Sequence, residues 1–223
     1  MKFQRILSSL GMIVAIFYFI HVFLGQILDK THNPITTDIS SLTAVGAPNS
    51  ELLTIFTTIY GTCLIIFAIY MFSKSFNEYH KITTIGYGFL LIMAILSTIG
   101  FYFFPLASDK TALNFQNTMH IAITGITVLL TILYLSLVSY GYLKKDKLRS
   151  IGIVSLIAII LILIFGVVNP ISIALSLNIL GLTERTVIFT LQAYIFSLSF
   201  IYTFDFIDII RNKFFNNNIN EIK

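Results

Sequence analysis

Read for its hydrophobic and polar positions, the chain breaks into six long apolar runs, at residues 6–28, 52–73, 82–104, 118–142, 151–169 and 184–209. About 20 apolar residues carry a helix across the hydrocarbon core of a bilayer, and each run meets or approaches that length. In lipid every backbone amide must be paired within its own segment, so the runs predict helices rather than isolated strands. The expected fold is all-α: one domain over residues 1–223, a polytopic bundle of six transmembrane helices. The breaks have their own chemistry. Pro34, Gly46 and Pro48 punctuate the first connection, Pro105 ends the third run, and Asn169-Pro170 ends the fifth. The connection from Asp29 to Glu51 is too long for a tight turn. Its apolar residues Ile35, Ile39, Leu42 and Val45 predict that it folds back on the bundle, with a short interfacial helix near 37–43 and Asn49 or Ser50 capping the second span. Lys2 and Arg5 precede the first run as in a signal peptide, but the run is too long and no small-x-small cleavage site follows. It is read as a retained first span.

Composition agrees with the pattern. Of 223 residues, 57% are hydrophobic and only 11% charged, against roughly 25% charged in soluble domains. Most of the surface is therefore expected to face lipid, which makes membrane lipid the first expected partner. The net charge of +4 is not a nucleic-acid footprint, because the basic residues sit at helix ends. A second copy or another membrane protein as partner is left open. Cys63 is the sole cysteine, so no intrachain disulfide forms.

Charge then orients the bundle. Eleven of the fourteen Lys and Arg fall on one side: Lys2, Arg5, Lys74, Lys81, Lys144, Lys145, Lys147, Arg149, Arg211, Lys213 and Lys223. Only Lys30, Lys110 and Arg185 fall on the other. The positive-inside rule places both termini in the cytoplasm of a multi-pass cell-membrane protein.

The membrane interior holds no Asp, Glu, Lys or Arg, which weighs against an ion-coupled pump. Asp205 and Asp208, near Arg211 and Lys213, read as a solvated helix end. Polar residues gather instead towards the non-cytoplasmic end. Asn117, His120, Thr124, Thr127, Thr131 and Tyr134 alternate at spacings of three and four, a stripe along one helix face. It is either hydrogen-bonding glue between helices or the wall of a polar pocket with His120 at its mouth. His21 lies at a similar depth, and two histidines on different helices could ligate haem iron or zinc. His32 and His80 fall in loops and are expected to be solvated. Thr183 is a candidate N-cap for the sixth span, with Glu184 in its first turn suiting the positive helix end. Arg185 opposes that dipole and so calls for an anion: Glu184, Asp38, Asp109 or a lipid phosphate.

The outer residues also carry a family likeness. Thr37-Asp38-Ile39-Ser40-Ser41-Leu42 followed by Gly46-Ala47-Pro48-Asn49, then Phe104-Pro105 leading past Asp109 to His120, then Gly181-Leu182-x-Glu184-Arg185, occur in that order. With them the chain resembles a bacterial and archaeal six-span membrane family, domain-of-unknown-function family 998. It is more distantly similar to proteins of the damage-regulated autophagy modulator type. A Trp often found late in the sixth span is missing here, and Tyr194 stands in that region. The resemblance implies six helices and a membrane location, and no established activity.

The expected ligand-binding set is Asp38, Ser41, His120, Thr124, Glu184 and Arg185, with His21 and His120 as weaker metal candidates. The leading reading is a protein that binds a lipid or amphiphile near the outer leaflet. One alternative is a membrane hydrolase or transferase using His120 with Asp38 or Glu184. Another is a haem or quinone redox protein through His21 and His120. With no phosphate-binding glycine loop and no nucleophile elbow, a binding role is favoured over an enzymatic one and no cofactor is required.

Overall fold

The computed structural model describes residues 2–207, and these form six long helices and one short 3-10 helix. The helices are α1 (Lys2–Leu28), α2 (Ser50–Glu78), α3 (Lys81–Phe103), α4 (Phe115–Lys144), α5 (Arg149–Ala174) and α6 (Leu180–Thr203), with η1 (Ile39–Thr43) between α1 and α2. All six are long and apolar enough to cross a membrane. Asp208, Arg211 and Lys213 lie outside the described residues. Each helix packs against its neighbours in sequence, and α6 packs back on α1, so the six close into a ring.

The outside of the ring is apolar. Ile20, Phe23, Ile92, Ile121, Ile157 and Ile164 are among many large hydrophobic side chains left exposed. Water would not tolerate such a surface, whereas acyl chains would cover it. The inside is filled with aromatic residues and is polar at intervals. Tyr87, Tyr134 and Tyr142 are fully buried. Towards the basic end four hydroxyls form a chain, Tyr87 to Tyr142 at 2.6 Å, Tyr142 to Tyr202 at 2.9 Å and Tyr202 to Tyr79 at 2.6 Å. The chain lets α3, α4 and α6 meet through tyrosines without leaving their hydroxyls unpaired in a dry core.

Helix ends follow local chemistry, with three departures from expectation. The Asn114 side chain caps α4 by accepting from the Asn117 amide at 2.8 Å. His80 is not a solvated loop residue: it caps α3, its Nδ1 accepting from the Ile82 amide at 3.3 Å. Asn49 occupies the N-cap position of α2 but makes no side-chain cap bond, because its φ of 58° turns it into the left-handed region. α5 does not stop at Asn169-Pro170; it continues through Pro170 to Ala174. Pro170 lacks the N–H that would pair with the Gly166 carbonyl, and Asn169 beside it is engaged: its carbonyl accepts from the Ser172 hydroxyl and its side chain from the Thr183 hydroxyl, at 2.8 and 2.9 Å. Asp205 is paired with Arg5, which ties the end of α6 to the start of α1.

Candidate functional site

The end of the ring away from the basic loops is closed by a cap. It consists of the connection 29–49, the loop 104–114 and the first turns of α6. The short helix expected near 37–43 is present as η1, and it is built from its own sequence. Asp38 accepts from the Ser41 amide at 3.0 Å and from the Ser41 hydroxyl at 2.7 Å. Ile39 and Leu42 point inward and are buried with Tyr18, Val22 and Leu53 of α1 and α2. Ile35 and Val45, expected to join them, are exposed. They flank the short helix and do not share its inner face.

Glu184 reaches from α6 to the same N-terminal turn and accepts from the Ile39 amide at 2.8 Å. Two carboxylates thus hold the N-terminus of η1, where amides are unpaired and the dipole is positive. Lys110 completes this side. Its ammonium lies 3.0 Å from Asp38 and also contacts the Ser41 hydroxyl. Burial alone would raise the Asp38 pKa, but the Ser41 hydroxyl and Lys110 outweigh it and hold the carboxyl below its ordinary value.

Arg185 is the buried hub. It is 6% exposed and lies inside α6, which begins at Leu180. Thr183 is therefore not a cap; it sits in the first turns, with its hydroxyl bonded to Asn169. The expected anion for Arg185 is not found: among the described residues no carboxylate lies within ion-pair distance. Neutral acceptors take all five of its N–H groups. One Nη donates to the carbonyls of Thr37 (2.8 Å) and Gly181 (2.9 Å). The other donates to His32 Nε2 at 2.7 Å. Nε and that second Nη share the Gln26 amide oxygen, both at 3.1 Å, in the orientation that turns oxygen towards the guanidinium. His32, expected to be solvated, is in fact 8% exposed. Burial and then the charge of Arg185 push its pKa below the usual 6.5. Because the guanidinium can only donate, Nε2 must accept, which leaves the ring proton on Nδ1. Space for this arrangement comes from Gly181, where a Cβ would stand 2.7 Å from both the Pro34 carbonyl oxygen and Arg185 Nη1. The Leu182 amide then donates to Ile35 O at 3.0 Å, so the connection also caps α6.

His120 and Thr124 stand apart from this cluster. His120 Nδ1 donates to the Phe104 carbonyl at 2.9 Å, and its ring packs against Phe101. It anchors the corner where α3 ends and bonds to neither Asp38 nor Glu184. Asn117 does the neighbouring task, accepting from the Ala107 amide and donating to the carbonyls of Asp109 and Ala112, at 2.9, 2.8 and 3.0 Å. These two residues shape the loop that delivers Lys110. Thr124 is at the edge of the stripe, exposed, and its hydroxyl is spent on the His120 carbonyl at 2.8 Å.

A model of the family described as "Protein of unknown function (DUF998)" matches residues 12–201. The chain belongs to the DUF998 family. No curated protein and no solved structure matches it. Within this DUF998 protein the structure brings together Asp38, Ser41, Glu184 and Arg185, and it adds Lys110, His32, Gln26 and Gly181. For Lys110 and His32 the sequence carried no signal beyond a charge or ring in a loop.

His21 lies below the cap on α1, 3% exposed, with neither ring nitrogen bonded to protein among the described residues. Its ring stands 5.7 Å from that of Tyr18. The fully buried Gln192 uses its amide nitrogen on Tyr60 at 3.3 Å, while its oxygen has no protein partner. α1, which carries His21, and α4, which carries His120, are opposite members of the ring. Among the described residues no group of three or more His, Cys, Asp or Glu is assembled as a metal cage.

Proposed function

We propose that this DUF998 protein binds an amphiphile at its capped end, with the polar head at Lys110, Asp38 and Ser41 and the chain along α1. The observation that supports it is the convergence of three separate segments on one charged cluster at a membrane boundary. Arg185 and Glu184 are committed to holding that cluster together. Lys110 and Asp38, with side chains 41% and 19% exposed, form its outward face. A cation beside an anion complements a lipid headgroup that carries phosphate and amine.

An apolar groove of about 430 Å³ runs along the exposed face of α1 from Ile16 to Ile27. Its upper end is one residue from Gln26, which holds Arg185. Eleven residues of helix span about 16 Å, close to half of a ~30 Å hydrocarbon core, so the groove fits a chain in the leaflet at the capped end. The unpaired groups of His21 and Gln192 under the cap add hydrogen-bonding capacity, as a buried polar group without a partner costs about 1–3 kcal/mol. His120 has no part in this reading, because its ring is engaged at the α3 corner.

The test is lipid retained through detergent purification, measured by mass spectrometry on Lys110→Ala and Asp38→Asn. Both variants are expected to lose phospholipid while melting as folded proteins. Folded variants with the wild-type lipid complement would refute the reading.

A further inference from the structure

A second groove, at the opposite end of the molecule, lies between α2 and α3 and has a volume of about 520 Å³. Phe72 and Phe76, stacked edge to face with centroids 4.9 Å apart, form one wall. Ile85 and Ile92 of α3 form the other. Gly88 makes the floor, since the nearest atom to a Cβ there would be a Phe72 ring carbon at 3.3 Å. Lys81 stands at the polar end.

The dimensions select one occupant. Lys81 and Ile92 are eleven residues apart on one helix, about 16 Å. That is half of a ~30 Å hydrocarbon core, so the groove covers one leaflet and not two. Its apolar lining faces lipid in a membrane-spanning ring, and an acyl chain is what covers it there. The headgroup follows from the charge. Lys81 is exposed and among the described residues pairs with no carboxylate, whereas Lys74 on the facing helix is engaged by Glu78 at 2.6 Å. Asp146, the acid on the α4–α5 loop, is held by the His80 amide at 2.7 Å and by the Thr83 hydroxyl. Exposed Lys144, Lys145, Lys147 and Arg149 add positive potential at the same end.

We propose that this groove is a binding site for one anionic phospholipid, its acyl chain between α2 and α3 and its phosphate on Lys81. The site is independent of the capped end and does not need the amphiphile reading above to hold. One basic residue at a membrane surface is worth about a five-fold preference for an acidic headgroup.

Native mass spectrometry of the full chain, titrated with phosphatidylglycerol or phosphatidylcholine of identical acyl chains, tests it. Wild-type protein is expected to bind phosphatidylglycerol in preference to phosphatidylcholine. Lys81→Gln should lose about five-fold of that preference, and Lys147→Gln, outside the groove lining, should lose much less of it. Gly88→Leu should reduce binding of both lipids. Should that variant misfold, Ile85→Trp narrows the groove from an exposed position and should do the same. Equal binding of the two lipids by wild type would overturn the proposal. So would an unchanged preference in Lys81→Gln, an equal loss in Lys147→Gln, or undiminished binding in the folded groove-filling variant. The effect of Lys81→Gln should be the same in a Lys110→Ala background, so failure here and failure at the cap are told apart.

Discussion

Arg185 shows how a cation is kept at the edge of a membrane without a carboxylate. A guanidinium presents five donors in a fixed planar fork, and here carbonyls of Thr37 and Gly181, the Gln26 amide and the His32 ring are set at the ends of that fork. His32 is the one acceptor whose role a proton can remove. The charged and titratable groups that act on it are Arg185, Asp29, Asp38 and Lys110. The net effect lowers its pKa, so the unfolded chain takes up that proton more readily than the folded chain. The stability from the neutral ring is complete above pH 6.5 and is lost as pH falls through the lowered folded value. Asp38, also lowered, loses its contribution only further down, below its ordinary 3.8. His32 should therefore contribute a fall in the midpoint of thermal unfolding in detergent between pH 7 and 5. His32→Gln, which keeps an acceptor but cannot be charged, should flatten that slope. A slope unchanged by the substitution would remove His32 from the account. The sequence marked Arg185 as a cation on the wrong side of a helix dipole. It could not reveal the acceptors, because they come from positions 26, 32, 37 and 181 and two of them are backbone oxygens.

At the scale of elements, the cap is a set of short motifs that need one another. η1 is held by its own Asp38, by Glu184 from α6 and by Leu42 inserted among Leu53 and Val22. Loop 104–114 is shaped by Asn117 and His120 on α4 and joined to the connection 29–49 through Val45 N to Leu106 O at 2.9 Å. The six helices and η1 were legible in the sequence because both rest on local pattern: apolar runs of spanning length, and apolar residues such as Ile39 and Leu42 within the long first connection. The polar stripe on α4 was legible as a stripe but not in its use, since periodicity says which residues share a face and not what covers that face. Asn117 is 2% exposed and bonds three backbone groups of the loop. Asn117→Ala should cost about 2–3 kcal/mol, the desolvation of partners left unpaired. It should also raise amide hydrogen exchange in 105–114 while leaving α1, α2 and η1 protected. Equal deprotection throughout would mean that the loop has no separate anchor.

On the scale of the whole molecule, closure of the ring decides whether six lipid-compatible helices become one structure. In a bilayer there is little hydrophobic drive for helices to associate, so contact rests on close packing and interhelical hydrogen bonds. The α1–α6 seam, which joins the first helix to the last, has both. The Met12 amide donates to the Ser199 hydroxyl at 2.9 Å, and that hydroxyl in turn contacts the Ser8 carbonyl. Thr203 donates to the Ser8 hydroxyl at 3.1 Å. Gly11 lies at the tightest point, where a Cβ would stand 2.7 Å from Ser199 Cβ and 3.0 Å from the Phe67 ring. Gly125 and Gly166 are helical too, but a Cβ at either would meet nothing within 4 Å. The two kinds of glycine should respond in opposite directions. Gly11→Ala forces the seam apart, at an overpacking cost of about 1–3 kcal/mol. Gly125→Ala adds a methyl into lipid and removes a weak helix former, a gain of up to about 1 kcal/mol. Unfolding in mixed micelles should separate them, Gly11→Ala below wild type and Gly125→Ala at or above it. If both variants fell together, glycine would matter here for helix flexibility, and the ring would be held by something other than the close approach of α1 and α6.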